Sequence, residues 1–180
     1  VGGHCIAVDP WFLADAAPQA ARLIRAAREV NDGMPEHVLD CLAGLARPPA
    51  AIALLGITYK AEVDDVRESP ALLVAQGAVE RGYAVRLCDP HVSADTPGLP
   101  APLLPIEQAV RDVDVVALLV DHAAFRELDI DLVAALVRSR RLFDARDALD
   151  HTVWRARGFV TRVLGSGTAS LSPHAERTGA

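Results

Sequence analysis

A cysteine in a glycine-rich opening loop is the first group in this chain that could do covalent chemistry. Cys5 follows Gly2, Gly3 and His4, and a carboxylate, Asp9, comes four residues later. Two adjacent glycines allow a tight turn or a close approach of backbone to a ligand. A thiolate adds readily to a carbonyl and leaves readily from an acyl group. A lone cysteine is more often a small buried apolar residue. The loop context, outside any apolar helix or strand, favours a nucleophile at Cys5. Asp9 precedes Pro10 and reads either as a turn residue or as a carboxylate that orients a water or a basic partner near the thiol. His4 is next to Cys5 in sequence, so the two side chains need not meet. Cys41 and Cys88 lie in apolar periodic segments and read as core.

A second group of candidates is cationic. Lys60 and Arg67 flank the acidic run Glu62-Val63-Asp64-Asp65. One reading is a solvated charged loop. The sharper one has Lys60 as a point charge for a phosphate and Arg67 as a bidentate grip on an anion. Arg146 carries the same two readings. His4, Cys5, His91 and His122 are metal-binding residue types, but no pair has ligand spacing, so no metal is expected. Three widely spaced cysteines suggest no disulfide framework, and a reducing, cytoplasmic setting is expected.

These groups need elements to position them. Residues 1–9 read as a loop. Apolar spacing predicts a helix over 18–30, with Leu23, Ile24, Ala27 and Val30 on one face as packing or dimer surface. Asn31-Asp32-Gly33 interrupts it, and Val38, Leu39, Leu42 and Leu45 continue the spacing. The stretch is two helices or one kinked helix. Arg47-Pro48-Pro49 ends it and marks the domain boundary. Strands are predicted at 50–57, 83–88, 114–120, 141–143 and 159–164. Ser69 is a candidate N-cap and Pro70 a first helical residue, for a helix running to Arg81 and ending at Gly82. Residues 91–105 read as a loop, and helices are predicted at 106–113 and 129–137. Residues 166–180 are small and polar and read as a disordered tail.

Strands alternating with helices predict an α/β fold with a doubly wound, Rossmann-like parallel sheet. Ligands in such sheets sit at the carboxyl ends of the strands. Thr58-Tyr59-Lys60, Asp121-His122 and Asp144-Ala145-Arg146 all fall there. The Gly-x-Gly-x-x-Gly dinucleotide fingerprint does not follow the first strand, so this sheet is not a standard NAD-binding domain on its own. The net charge of −6 gives no general basic footprint for nucleic acid. No apolar run approaches the roughly 18 residues of a membrane span. The 51% apolar content is enough for a sizeable core.

Three motifs in order resemble one family. Gly2-Gly3-His4-Cys5-Ile6-Ala7-Val8-Asp9-Pro10-Trp11-Phe12 is similar to the catalytic loop of the UDP-glucose/GDP-mannose dehydrogenases. Leu55-Gly56-Ile57-Thr58-Tyr59-Lys60, followed by Val63-Asp64-Asp65-Val66-Arg67-Glu68-Ser69-Pro70-Ala71, resembles the opening of their UDP-binding domain. Phe143-Asp144-Ala145-Arg146 resembles an Asp-Gly-Arg segment near that domain's end. The first motif, with Leu119-Val120-Asp121-His122, is most similar to the branch that oxidises UDP-N-acetyl-D-mannosamine. The chain lacks the Phe-Pro-Lys-Asp that follows the cysteine in the UDP-glucose branch. Ala61 stands where a proline is common, and Ala145 where a glycine is.

The resemblance implies a four-electron oxidation of a sugar C6 alcohol to a uronate for a surface polysaccharide, with NAD as cofactor. Cys5 and Asp9 are then the catalytic residues. Arg67 and Cys5 face the NAD. Gly2, Gly3, Tyr59, Lys60 and Arg146 bind the UDP-sugar. Residues 18–46 match the central helix that builds the family's homodimer, and residues 48–165 the UDP-binding domain. The chain opens inside a motif at Val1, so a fragment is expected, with the N-terminal NAD-binding domain missing and little activity of its own. Alternatives are a dehydrogenase for another UDP-sugar (UDP-glucose or UDP-N-acetylglucosamine), a non-catalytic UDP-binding or dimerisation module, and a thiol hydrolase. The last needs a histidine base near Cys5, and none is evident.

Overall fold

The computed structural model describes residues 1–166; the expected tail from 167 onward lies outside the described residues. Five parallel strands form one sheet in the order β2-β1-β3-β4-β5. They are β1 (Ala51–Leu55), β2 (Ala84–Cys88), β3 (Val115–Leu118), β4 (Arg141–Asp144) and β5 (Val160–Val163). Four fall inside predicted strands, shortened by one to three residues, and β4 runs one residue past the predicted 141–143. Parallel strands buried on both faces are nearly continuous apolar runs, and that makes them legible. The period of two divides their side chains between two cores. Ile52, Leu54, Val115, Ala117 and Phe143 join one. Ala51, Ala53, Leu55, Val116, Leu118 and Leu142 join the other.

Helices cover both faces. On the first lie α3 (Met34–Leu45) and α4 (Pro70–Glu80), with Val38, Leu39, Leu42 and Leu45 buried as the spacing predicts. Each fully buried leucine there contributes about 2 kcal/mol. On the second face lie four short helices, α5 (Ile106–Ala109), α6 (Ala123–Arg126), α7 (Ile130–Leu136) and α8 (His151–Ala156). Trp154 of α8 packs edge-on against Phe159 with ring centres 4.7 Å apart.

Several expectations need correction. Residues 3–8 are turns, but a helix, α1 (Asp9–Ala16), begins at Asp9, with Pro10 in its first turn. Of the two alternatives left open for 18–46, the structure has the two helices, α2 (Arg22–Asp32) and α3, separated only by Gly33. Of the two readings of the α2 face, packing or dimer surface, packing within the chain does not hold at Leu23 and Val30. Leu23 is 82% and Val30 70% exposed, and the buried residue of α2 is Arg28, which ion-pairs with Asp32. The helices α6 and α8 were not expected. Ser69 stands at the N-cap of α4, yet its hydroxyl donates to the Thr58 carbonyl at 3.0 Å instead of capping. No helix among the described residues is long and apolar enough to cross a membrane.

Candidate functional site

The chain turns direction between β1 and β3. β2 lies to one side of β1, while β3, β4 and β5 lie to the other. Loops at the carboxyl ends of neighbouring strands diverge at such a point and leave a crevice. A cavity of about 240 Å³ opens there. Its lining includes Thr58 and Tyr59 after β1, Val120 after β3, Arg146 after β4, and Gly2 of the opening loop. Three predicted substrate residues, Gly2, Tyr59 and Arg146, therefore meet at one cavity. A larger, mainly apolar cavity of about 380 Å³ lies between Cys88, Val92 and Phe125 and contains no predicted site residue.

Gly56 makes the turn out of β1. Its φ of +85° is left-handed, and its N–H donates to the Cys88 carbonyl at 2.8 Å. The polar loop that follows carries Tyr59 and Lys60. The Lys60 ammonium lies 5.7 Å from the Tyr59 ring centre. Among the described residues no carboxylate pairs with it, so it remains available to an anion.

The opening loop docks on this same segment. The Gly3 N–H donates to the Glu68 carbonyl at 3.2 Å. Gly3 has φ +97°, and a Cβ there would lie 3.0 Å from the Tyr59 ring. A Cβ on Gly2 would collide with the Glu68 carbonyl and Pro70. Both glycines thus allow close backbone approach, as the sequence suggested. Cys5 follows and is exposed, whereas Cys41 and Cys88 are buried. Burial, then the neighbouring Asp89 and Glu107, push the Cys88 thiol up to about 12, which removes it as a nucleophile. The Cys5 carbonyl accepts from the Val8 and Asp9 amides at 2.9 and 2.8 Å, which places Asp9 one turn from the thiol. Asp9 is also a first-turn acid, where the helix dipole favours negative charge.

His4 turns away from Cys5, with Nδ1 3.9 Å from the Asp65 carboxylate. The cysteine with a histidine within reach is instead buried Cys41, 3.8 Å from His37 Nε2 one helical turn away. A Cys5–His4 dyad has no support in this geometry.

The two arginines are not free. Arg67 holds Asp65 through Nε, at 3.0 and 3.1 Å, and through a terminal nitrogen at 2.6 Å. The hydrogen bonds from the Arg67 side chain, then its backbone N–H, bring the Asp65 carboxyl down from 3.8 to about 2. A carboxyl depressed this way keeps its clasp above pH 3.8 and loses it as pH falls through about 2. We expect the Asp65 carboxyl, followed by NMR in a pH titration, to show its midpoint near pH 2 and to move up toward 3.8 in Arg67→Ala. An unchanged midpoint in the variant would rule out the clasp. The hydrogen bonds and charge of Asp65 in turn favour the protonated form of Arg67.

Arg146 pairs with Asp121, Nε to Oδ1 at 3.1 Å, and Arg126 shares the same carboxylate. Burial pushes the Asp121 carboxyl up, but hydrogen bonds from its own backbone, Arg126 and Arg146 outweigh this and hold it below the usual value. An anion at either arginine must compete with a resident carboxylate.

Sequence reasoning missed the buried carboxylates that hold these loops. Asp144 accepts from the Arg146, Ala148 and Leu149 amides at 2.8 to 3.0 Å, and its Oδ2 lies 2.9 Å from His151 Nε2. Asp89 accepts from the Ile57 and His91 amides at 2.8 and 2.9 Å, and its Oδ2 lies 3.1 Å from His122 Nε2. The available signal was an aspartate at or just past the end of an apolar strand. His122 is fully buried; its Nδ1 accepts from the Glu62 amide at 3.0 Å, which leaves the proton on Nε2 for Asp89.

Fold and crevice together define a doubly wound α/β domain with a cavity at its switch point. Residues 53–151 match the model of the UDP-glucose/GDP-mannose dehydrogenase family, UDP binding domain, and the chain belongs to that family. It is similar to an NDP-N-acetyl-D-galactosaminuronic acid dehydrogenase of Ralstonia nicotianae, 47% identical over 81% of this chain and 34% of the relative. A UDP-N-acetyl-D-mannosamine dehydrogenase of Methanococcus maripaludis is 36% identical over 93% of this chain and 40% of the relative. Among solved structures, a UDP-D-ManNAc dehydrogenase from Pyrococcus horikoshii superposes with a TM-score of 0.77 at 29% identity, covering 94% of this chain and 40% of that one. The chain spans about a third to two fifths of the length of these relatives.

Proposed function

We propose that this chain is the thiol-bearing, UDP-binding part of an NAD-dependent nucleotide-sugar 6-dehydrogenase. One observation carries the reading. The loop bearing exposed Cys5 is docked through Gly2 and Gly3 onto the segment bearing Tyr59 and Arg67, beside the switch-point cavity. The relatives are named for N-acetylated hexosamine derivatives, so the proposed substrate is a UDP-N-acetylhexosamine, UDP-N-acetyl-D-mannosamine first.

The UDP moiety sits against Tyr59, with Lys60 on the diphosphate and Arg146 at the substrate. Asp121 keeps Arg146 in place until the anion arrives. NAD, when bound, accepts the two hydrides taken from C6. The sheet itself does not fit a dinucleotide, because the Asp89 carboxylate past β2 is buried and occupied by Ile57, His91 and His122. Arg67 is exposed, and an NAD phosphate that reaches it takes the place of the Asp65 carboxylate on its guanidinium. The Cys5 thiolate adds to the C6 aldehyde and forms a thiohemiacetal. Loss of the second hydride leaves a thioester on Cys5. Water attacks the thioester carbon, the C–S bond breaks, and the acid leaves with the thiolate restored. Asp9, one turn away, orients that water. In sum, one alcohol, two NAD and one water give one carboxylate, two NADH and three protons.

The chain pairs with a second copy through residues 18–46. The exposed Leu23 and Val30 of α2 support this, since exposed large apolar side chains favour cover from water. The product serves a surface polysaccharide, and the setting is cytoplasmic. The 180 residues alone bind NAD weakly and do not turn over; steady NAD reduction by the purified chain would overturn that point.

Binding of UDP to the chain tests the cradle directly. Calorimetry should give saturable binding, weakened about tenfold in Lys60→Ala, with the loss shrinking as salt screens the contact. Equal affinity of variant and parent at low salt would remove Lys60 from the site.

A further inference from the structure

Three loops leave the carboxyl ends of β1, β2 and β3 and bring Glu62, His91 and His122 together. The ligand atoms of these side chains lie within 4.8 Å of one another. His91 Nε2 is 3.4 Å from Glu62 Oε2, and His122 Nδ1 is 3.7 Å from Glu62 Oε1. A zinc ion with nitrogen and oxygen ligands at about 2.0–2.2 Å needs donor atoms about 3.5 Å apart. The rings of His91 and His122 are 4.8 Å apart, centre to centre.

The surroundings fit a metal as well as the ligands do. A zinc-bound histidine usually donates its other ring N–H to a carboxylate, which fixes tautomer and orientation. His122 Nε2 faces the buried Asp89 carboxylate at 3.1 Å, and Thr58 Oγ1 at the same distance. The other oxygen of Asp89 takes the His91 amide at 2.9 Å, so one buried carboxylate aligns both histidines. His91 and Glu62 are exposed, which leaves an entry path and an open coordination position toward solvent.

We propose that Glu62, His91 and His122 form a binding site for a transition-metal dication of the zinc class. Two imidazoles and one carboxylate are the donor set for such ions rather than for calcium or magnesium. His91 Nε2 and Glu62 Oε2 capture the ion first. His122 Nδ1 completes the site when it exchanges the Glu62 amide for the metal. That exchange turns the Glu62 amide, which donates to Nδ1 at 3.0 Å, away from the ring. The bound ion clamps the loop that carries Tyr59 and Lys60 to the loops after β2 and β3. The site shares no residue with the proposed thiol chemistry or with the residues proposed to bind UDP.

The test uses the 180-residue chain with Cys5→Ser, so that the exposed thiol cannot contribute a ligand. Metal-free protein is titrated with zinc by calorimetry, and with cobalt(II) for its visible absorption. One equivalent should bind, and cobalt should give the intense bands of a low-coordinate site. His91→Asn and Glu62→Gln, both exposed positions, should each weaken binding at least tenfold, while His4→Asn leaves it intact. No saturable binding overturns the site. So does binding that survives either of the first two substitutions, or that disappears in His4→Asn. Because UDP affinity is measured separately, failure here leaves the proposed function standing, and the reverse.

Discussion

Replacing Cys5 by serine in the complete polypeptide should abolish release of the uronate, by about 10³-fold or more in steady-state rate. The reason is chemical, not structural. Cys5 is exposed in a turn and held only through its backbone, so a hydroxyl in place of the thiol disturbs no packing. A serine hydroxyl offers almost no anion and is a far weaker nucleophile and poorer acyl leaving group than a thiol. The variant should therefore bind UDP as the parent does, within twofold, and still fail to complete the second oxidation. Uronate production at the parental rate would show that the thiol is not the acyl carrier.

Gly56→Ala should destabilise the chain by about 3 kcal/mol, most of it from backbone collision. The left-handed φ at this position already costs an L side chain about 1 kcal/mol. A Cβ there would stand 2.5 Å from Val120 Cβ, 2.8 Å from its carbonyl oxygen and 2.9 Å from its Cα. Those atoms belong to the next strand's exit and cannot swing away. The Gly56 N–H is meanwhile held by the Cys88 carbonyl, so the turn is fixed on both sides. Urea denaturation should report the loss, with a fall of roughly 6–12 °C in Tm. An unchanged midpoint would mean that the β1 exit is not built as described.

Most of the fold was legible in the sequence because its strands are buried on both faces. Runs such as Ala-Ile-Ala-Leu-Leu and Val-Val-Ala-Leu have few other homes. The four-residue α6 and six-residue α8 were not legible, since neither completes two turns of apolar spacing. The start of α8 did carry a signal. Asp150 caps it, accepting from the Thr152 and Val153 amides at 3.0 and 3.3 Å. Asp9-Pro10 carried a comparable signal for α1, since an aspartate that can cap precedes a proline suited to the first helical turn.

The site divides along the same line. Cys5, Tyr59, Lys60, Arg67 and Arg146 were legible as residue types at strand ends and in a glycine-rich loop. Their partners were not. Arg67 and Asp65 are two residues apart, a spacing whose meaning depends on the loop's path. Asp121 reaches Arg146 only because β3 and β4 are neighbours. His91 and His122 both sit just past a strand, yet their meeting requires β1 to lie between β2 and β3. Pairing across a sheet is a property of topology, and one sequence carries topology only weakly.

The reactivity of Cys5 gives the sharpest view of whether thiol and nucleotide-sugar share one place. The other two cysteines of this segment are buried, so iodoacetamide should alkylate Cys5 selectively, and peptide mass spectrometry can follow its rate in the complete polypeptide. With the oxidised cofactor absent, a saturating UDP-N-acetylhexosamine should slow that alkylation about tenfold or more, and UDP alone should slow it less. Labelling at one and the same rate with and without the bound sugar nucleotide would contradict the account.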